Sequence, residues 1–209
     1  MTTHIIAFYL AAEKLKTTLR HSWLSNSTRQ ESVAEHSWMM ALLAMVLIPQ
    51  LKQQVDQEKV FKMIVLHDLA EAVTTDLPVW EGSKNKAEKY NAELAAMNQI
   101  LGHLEEKTKI ELMSIWEEYE ERKTFEAKFV KAIDTLDVIS QHNTAPIKTW
   151  DDNDYLWQIS GLQDNFFNID ESLRKIKDEI DQWSLEKVDE VHNLDKLDQS
   201  ELKKKPNKK

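Results

Sequence analysis

The chain has no cysteine, and only 3 glycines and 4 prolines among 209 residues. Without cysteine there is no disulfide, no thiolate nucleophile and no cysteine-type zinc site, so any metal must be held by His, Asp or Glu. The shortage of Gly and Pro removes the turn residues that a β-sandwich or barrel needs at its strand ends, and favours long helices on short joints. No window of about 18 to 20 residues is apolar and free of charge, and the N-terminus has no basic, apolar and small-residue succession. Neither a membrane span nor a secretory signal is expected, which places the chain in the cytoplasm.

Lys and Arg number 27 against 36 Asp and Glu, a net charge of -9. That sign repels a long polyphosphate backbone, so polymeric DNA or RNA is excluded as a partner. A small anion stays compatible, because a metal and one or two fixed cations reverse the potential locally. With 42% hydrophobic and 30% charged residues, the length suits one core rather than two. The expected fold is all-α, a single compact helical domain over 1–183. A polar extension over 184–209 ends in Lys203-Lys204-Lys205 and Lys208-Lys209, a disordered tail by composition.

Apolar spacing predicts helices over 3–19, about 32–53, 58–72, 85–101, 105–122, 124–142 and 171–183. Residues 20–24 break the pattern and lead into a polar joint over 25–30, and 146–165 read as an irregular aromatic stretch. There Trp150, Tyr155, Trp157, Phe166 and Phe167 either cover the core or form a subunit contact.

The stretch from Ser32 to Trp80 is where chemistry concentrates. Ser32 as N-cap with Glu35 three residues on predicts a capping box for the second helix. His36 shares a face there with Val33, Met40, Leu43 and Leu47, and alone it reads as a core histidine bonded to a carbonyl. In the next helix Phe61, Ile64, Val65 and Leu66 lead straight into His67 and Asp68. A buried aspartate requires a cation or several donors. Adjacent helical residues point about 100° apart, so one metal beside the helix can touch both, and Glu71 returns to that face. In the non-helical 74–82, interrupted by Pro78, Asp76 either initiates a turn or faces substrate. Asp134 and Asp137 lie one turn apart on one face of the 124–142 helix, and spacing leaves open which, if either, is a ligand.

A separated His36, then His67-Asp68, then a distant Asp resembles the HD-domain metal-dependent phosphohydrolases, most closely their 5'-deoxynucleotidase branch. The agreement extends to Arg20 and Trp23, Glu31-Ser32-Val33-Ala34-Glu35-His36-Ser37, His67-Asp68-Leu69-Ala70-Glu71-Ala72 with Thr75-Asp76-Leu77-Pro78, and the segment from Glu126 to Asp134. The resemblance implies an HD-domain bundle in which His36, His67, Asp68 and Asp134 bind one metal between central helices. It favours Asp134 over Asp137 because the family's last ligand follows a Val-Lys pair, here Val130-Lys131. It further implies Glu71 as acid or base, Arg20 on the phosphate, Asp76 on the sugar hydroxyl, Trp23 beside the sugar, and a homodimer. In some members Arg and Trp adjoin, whereas His21 and Ser22 stand between them here.

Two imidazoles and two carboxylates suit Mn, Co, Fe, Ni or Zn, with positions left for water and a phosphate oxygen. The expected reaction is hydrolysis of a nucleoside 5'-monophosphate, deoxyribose preferred. A triphosphate, cyclic nucleotide or alarmone would need cations beyond Arg20 and Arg29. A noncatalytic metal-binding module would need neither Glu71 nor Arg20.

Overall fold

A computed structural model of the chain describes residues 2–76 and 85–192. The expectations for Leu77, Pro78 and the Lys-rich end lie outside those residues. Helix α1 spans Thr2–Ala12 and passes into a tighter 3-10 turn over Glu13–Lys16. Strands β1 (Leu19–Trp23) and β2 (Gln30–Ser32) then pair antiparallel. The rest is helical: α2 Val33–Leu47, α3 Gln57–Leu66, α4 Glu71–Thr74, α5 Lys86–Leu101, α6 Glu106–Glu121, α7 Phe125–Thr144, α8 Asp152–Ile159 and α9 Glu171–His192. The all-α expectation holds apart from this ribbon, which replaces the polar joint. It escaped the sequence pattern because its side chains meet polar partners on both faces, so no apolar alternation marks it.

α2 begins as the sequence predicts. Ser32 accepts from the Glu35 backbone N–H, and the Glu35 carboxylate accepts from the Ser32 N–H. Such caps contribute about 1 kcal/mol, and this one sets the first turn of the helix that carries His36. α2 stops at Leu47 rather than near 53, where Pro49 turns the chain into a 3-10 segment.

The predicted 58–72 helix is broken at the doublet. His67 Nδ1 lies 2.8 Å from the Ile64 carbonyl, the acceptor that the Asp68 N–H would use in a regular helix. The next bonds tighten to three-residue spacing: Leu69 to Leu66, Glu71 to Asp68 and Ala72 to Leu69. His67 and Asp68 therefore sit on a turn between α3 and α4, not inside a helix.

α7 is buried along most of its length and forms the axis of the bundle. Phe129, Val130, Ile133 and Leu136 meet Met40, Ala44 and Leu47 of α2 and Met63 and Ile64 of α3 in one cluster. A second cluster joins Val33, Leu66, Leu69, Met97, Ile100 and Trp116. In the late aromatic stretch Trp150 and Phe167 are buried and Tyr155, Trp157 and Phe166 are half-buried; Phe166 and Phe167 pack with the first cluster, and Trp150 meets His142 and Tyr155. The last helix runs past the expected 183 to His192.

Candidate metal centre

Three parts of the bundle converge where the two clusters meet. α2 supplies His36, the turn after α3 supplies His67 and Asp68, and α7 supplies Asp134. His36, His67 and Asp134, all buried, present ligand atoms within 4.8 Å of one another. His36 Nε2 lies 3.2 Å from Asp134 Oδ1 and 3.9 Å from Asp68 Oδ2, and His67 Nε2 lies 3.1 Å from Asp68 Oδ2.

Each imidazole is held from behind through Nδ1. The Ile64 carbonyl is an acceptor only, so His67 must carry its proton on Nδ1. His36 Nδ1 lies 2.7 Å from the Asp137 carboxylate, which likewise accepts. Both Nε2 atoms are buried and make no hydrogen bond. Two orphaned ring nitrogens facing two carboxylates are a donor set that one divalent ion satisfies, with the outer bonds fixing tautomer and ring angle. The residues fit the metal that their types suggested.

Electrostatics sharpen the division of labour. Burial and the Arg20 charge push the His36 ring down, but Asp134 and Asp137 outweigh them and raise it to about 9. A metal therefore competes with a proton for Nε2. Burial opposes ionisation of Asp68, yet His67, Arg20 and His36 hold its carboxyl far below the usual range. Asp134 is also kept ionised against burial, first by Lys131, whose Nζ lies 2.5 Å away, and then by His36. The Tyr119 hydroxyl donates to it at 3.4 Å.

Glu71 behaves oppositely. Burial, then the charges of Asp68 and Asp76, drive it well above the ordinary carboxylic value, and its Oε2 is buried without a hydrogen bond. It keeps a proton where its neighbours cannot.

Arg20 reaches the centre from β1. One terminal nitrogen donates to Asp68 Oδ2 at 2.9 Å, while its Nε, 3.8 Å from Glu31, is buried without a hydrogen bond. Ser22, two residues on, donates to Glu31 at 3.1 Å, so Arg20 and Ser22 share a strand face. His21 turns instead to Asp154, and a register shift between Leu19 and Trp23 breaks the alternation before Trp23. Trp23 is half-buried, and its carbonyl accepts from Gln141 at 2.6 Å. Asp76 follows Thr75, a β-branched residue at φ 67, a costly conformation. It is half-buried, and its charge acts on both Arg20 and Glu71. Arg29 bonds Glu35 at the α2 cap.

Several participants carry no assignment from the sequence. Asp137 stands there only as a rival to Asp134; it is the acceptor behind His36. Glu31 and Lys131 give no signal beyond their place in the matching motifs, and Tyr119 gives none. Lys89 of α5, paired with Glu93 at 3.1 Å, lies in electrostatic range of Asp68 and Glu71. A second His/Asp group, His21 with Asp151 and Asp154, ties β1 to α8.

A family model described as "HD domain" matches residues 12–177. The curated protein "5'-deoxynucleotidase HDDC2" of Danio rerio is 33% identical over 139 residues, 66% of this chain and 68% of that one. Its Homo sapiens namesake is 34% identical over 138 residues, 66% of each chain. Among solved structures, a protein titled a predicted metal-dependent phosphohydrolase, from Magnetospirillum magnetotacticum, superposes with a TM-score of 0.74. It has 25% identity, over 89% of this chain and 96% of that one.

Proposed function

The chain belongs to the HD-domain family, and on that premise we propose that it is a metal-dependent phosphomonoesterase. It hydrolyses nucleoside 5'-monophosphates to nucleoside and inorganic phosphate, prefers deoxyribose, and acts as a homodimer. The curated relatives named 5'-deoxynucleotidase support the reaction class. The observation that carries the reading is the convergence of two Nε2 atoms without hydrogen bonds and two carboxylates held low, beside a permanent cation and a buried Glu71 whose carboxyl is pushed up.

His36, His67, Asp68 and Asp134 would hold the metal. A divalent ion there supplies a Lewis acid for the phosphoryl oxygens and a more acidic water, which matters because uncatalysed phosphate-monoester hydrolysis is exceptionally slow. Arg20, cationic at any working pH, has an unused Nε beside its engaged terminal nitrogen and offers the phosphate a planar, charge-assisted fork. Glu71, whose carboxyl is raised above its ordinary value by burial and then by Asp68 and Asp76, delivers a proton to the departing 5'-oxygen, so that the nucleoside leaves as a neutral alcohol. Asp76 accepts from the 3'-hydroxyl, Trp23 lies against the sugar, and little room at the 2' carbon gives the deoxy preference. A single phosphate matches the cations available, since Arg29 is occupied by Glu35.

The test is phosphate release from deoxy- and ribonucleoside 5'-monophosphates, 3'-monophosphates, triphosphates and cyclic nucleotides, after chelation and readdition of Mn, Co, Mg or Zn. The expected result is metal-dependent release from 5'-monophosphates, faster for the deoxy series. Release from triphosphates or cyclic nucleotides alone would overturn the substrate assignment. No release from any, with metal bound, would overturn the reaction.

A further inference from the structure

β1, the end of α7 and the start of α8 bring two imidazoles and two carboxylates together, none of them a ligand of the metal centre. His21 Nε2 lies 3.1 Å from Asp154 Oδ2 and 3.8 Å from Asp151 Oδ2. His142 Nε2 lies 3.7 Å from the other Asp154 oxygen, Oδ1. The two rings stand 5.9 Å apart, tilted by 42°. Asp154 and His142 are buried, His21 is half-buried and Asp151 is exposed. The group is closed on the protein side and open to solvent at Asp151.

Local structure holds each donor in place. Asp151 is the N-cap of α8, and its Oδ1 accepts from the Asn153 and Asp154 N–H groups, which leaves Oδ2 on the side of His21. Asp154 Oδ2 accepts in return from the Asp151 N–H at 2.8 Å. His142 lies on the last turn of α7. Trp150 meets its ring edge-on and donates through Nε1 to its carbonyl at 2.9 Å.

We infer that His21, His142, Asp151 and Asp154 form a second, structural metal site, for Zn²⁺, which clasps β1 to α7 and α8. Zinc takes His nitrogen and carboxylate oxygen at about 2.0–2.2 Å in tetrahedral geometry, which sets neighbouring donors about 3.3 Å apart. The three N···O separations, 3.1, 3.7 and 3.8 Å, bracket that spacing. Only the first is a hydrogen bond; the other two pairs are too far apart to share a proton, and one central ion joins all four side chains.

Charge points the same way. Burial pushes the His142 ring down to about 4, so it stays neutral and keeps a lone pair for a metal. His21, raised chiefly by its hydrogen bond to Asp154, offsets one carboxylate at most. A divalent ion offsets both. Mn²⁺ stands lowest in the affinity order for such donors, and Mg²⁺ and Ca²⁺ call for oxygen shells, so zinc is the ion that two imidazoles select. Arg20 adjoins His21 on β1, and the clasp therefore fixes the strand from which that guanidinium reaches Asp68. The site is independent of the reaction.

The experiment is calorimetric titration of Zn²⁺ into the chelated full chain. The wild type is expected to take two equivalents, and His21→Gln and Asp154→Asn one each, with helical circular dichroism unchanged. Asp134→Ala keeps one equivalent, and adding His21→Gln removes it. In Asp134→Ala, Co²⁺ is expected to give the intense visible absorption of a tetrahedral ion, and Zn²⁺ to raise Tm, a shift that His21→Gln abolishes. A single Zn²⁺ equivalent in the wild type, or a second one that survives both His21→Gln and Asp154→Asn, overturns the site and leaves a hydrogen-bonded His21–Asp154 pair only. A wild type that takes Zn²⁺ here but no tight Mn²⁺ would count against the catalytic centre alone.

Discussion

Asp137 holds His36 by its Nδ1 at 2.7 Å, with both side chains buried, and so turns Nε2 toward Asp134. In the proposed site the carboxylate one turn from Asp134 therefore orients the His36 ring rather than sharing the ion. Substituting Asp137 by Ala is expected to lower metal affinity by roughly 10- to 100-fold, read by calorimetric titration of the chelated protein. Asn, which keeps an acceptor without the charge, recovers part of the loss. Unchanged affinity in a folded Asp137→Ala protein would mean that the His36 ring needs no such support.

Glu71 is built to carry a proton rather than to share a metal, because burial and two neighbouring carboxylates disfavour its charge. Glu71→Gln should retain the metal and lose turnover by about 100-fold or more. Asp68→Ala should lose both. A Glu71→Gln protein with full turnover would remove Glu71 from the proposed chemistry while leaving the metal site intact.

The His67-Asp68 doublet stood out in the sequence because an aspartate following an apolar helix face, next to a histidine, calls for a cation to stay ionised, though the structure sets Asp68 half-buried on a turn. The capping box likewise fixed where α2 begins. The break after Leu66 was not legible, since it comes from the His67 ring competing for the Ile64 carbonyl, a local arrangement that apolar spacing does not record. The β1–β2 ribbon was hidden for a related reason. Ser22 and Arg20 meet Glu31 across the ribbon, His21 meets Asp154 of α8, and a register shift between Leu19 and Trp23 interrupts the pairing, so no period is left. Asp134 and Asp137 could not be told apart by position, because the difference is which nitrogen of His36 each one faces.

Acid stability should depend on His142. Burial pushes its pKa down to about 4; Asp154 and Asp151 oppose that, and His21 and Arg20 add to it. Its folded value lies below the unfolded value of about 6.5. Between these the unfolded chain binds the extra proton, so stability falls as pH drops through that window and is fully present above it. The loss from this residue between pH 7 and pH 5 is about 2 kcal/mol. His21 works in reverse, since Asp154 raises its pKa and its contribution fades as pH rises. Denaturant titrations at pH 7 and pH 5 should show a smaller pH difference for His142→Phe than for wild type. Equal differences would show that the buried ring is not what titrates.

The central claim is that distant residues of the chain share one cation. Titrating Mn²⁺ into chelated protein, wild type and Asp134→Ala, measures this directly. One tight equivalent per wild-type chain, absent from Asp134→Ala, is the predicted result. The same tight equivalent in both proteins would contradict it.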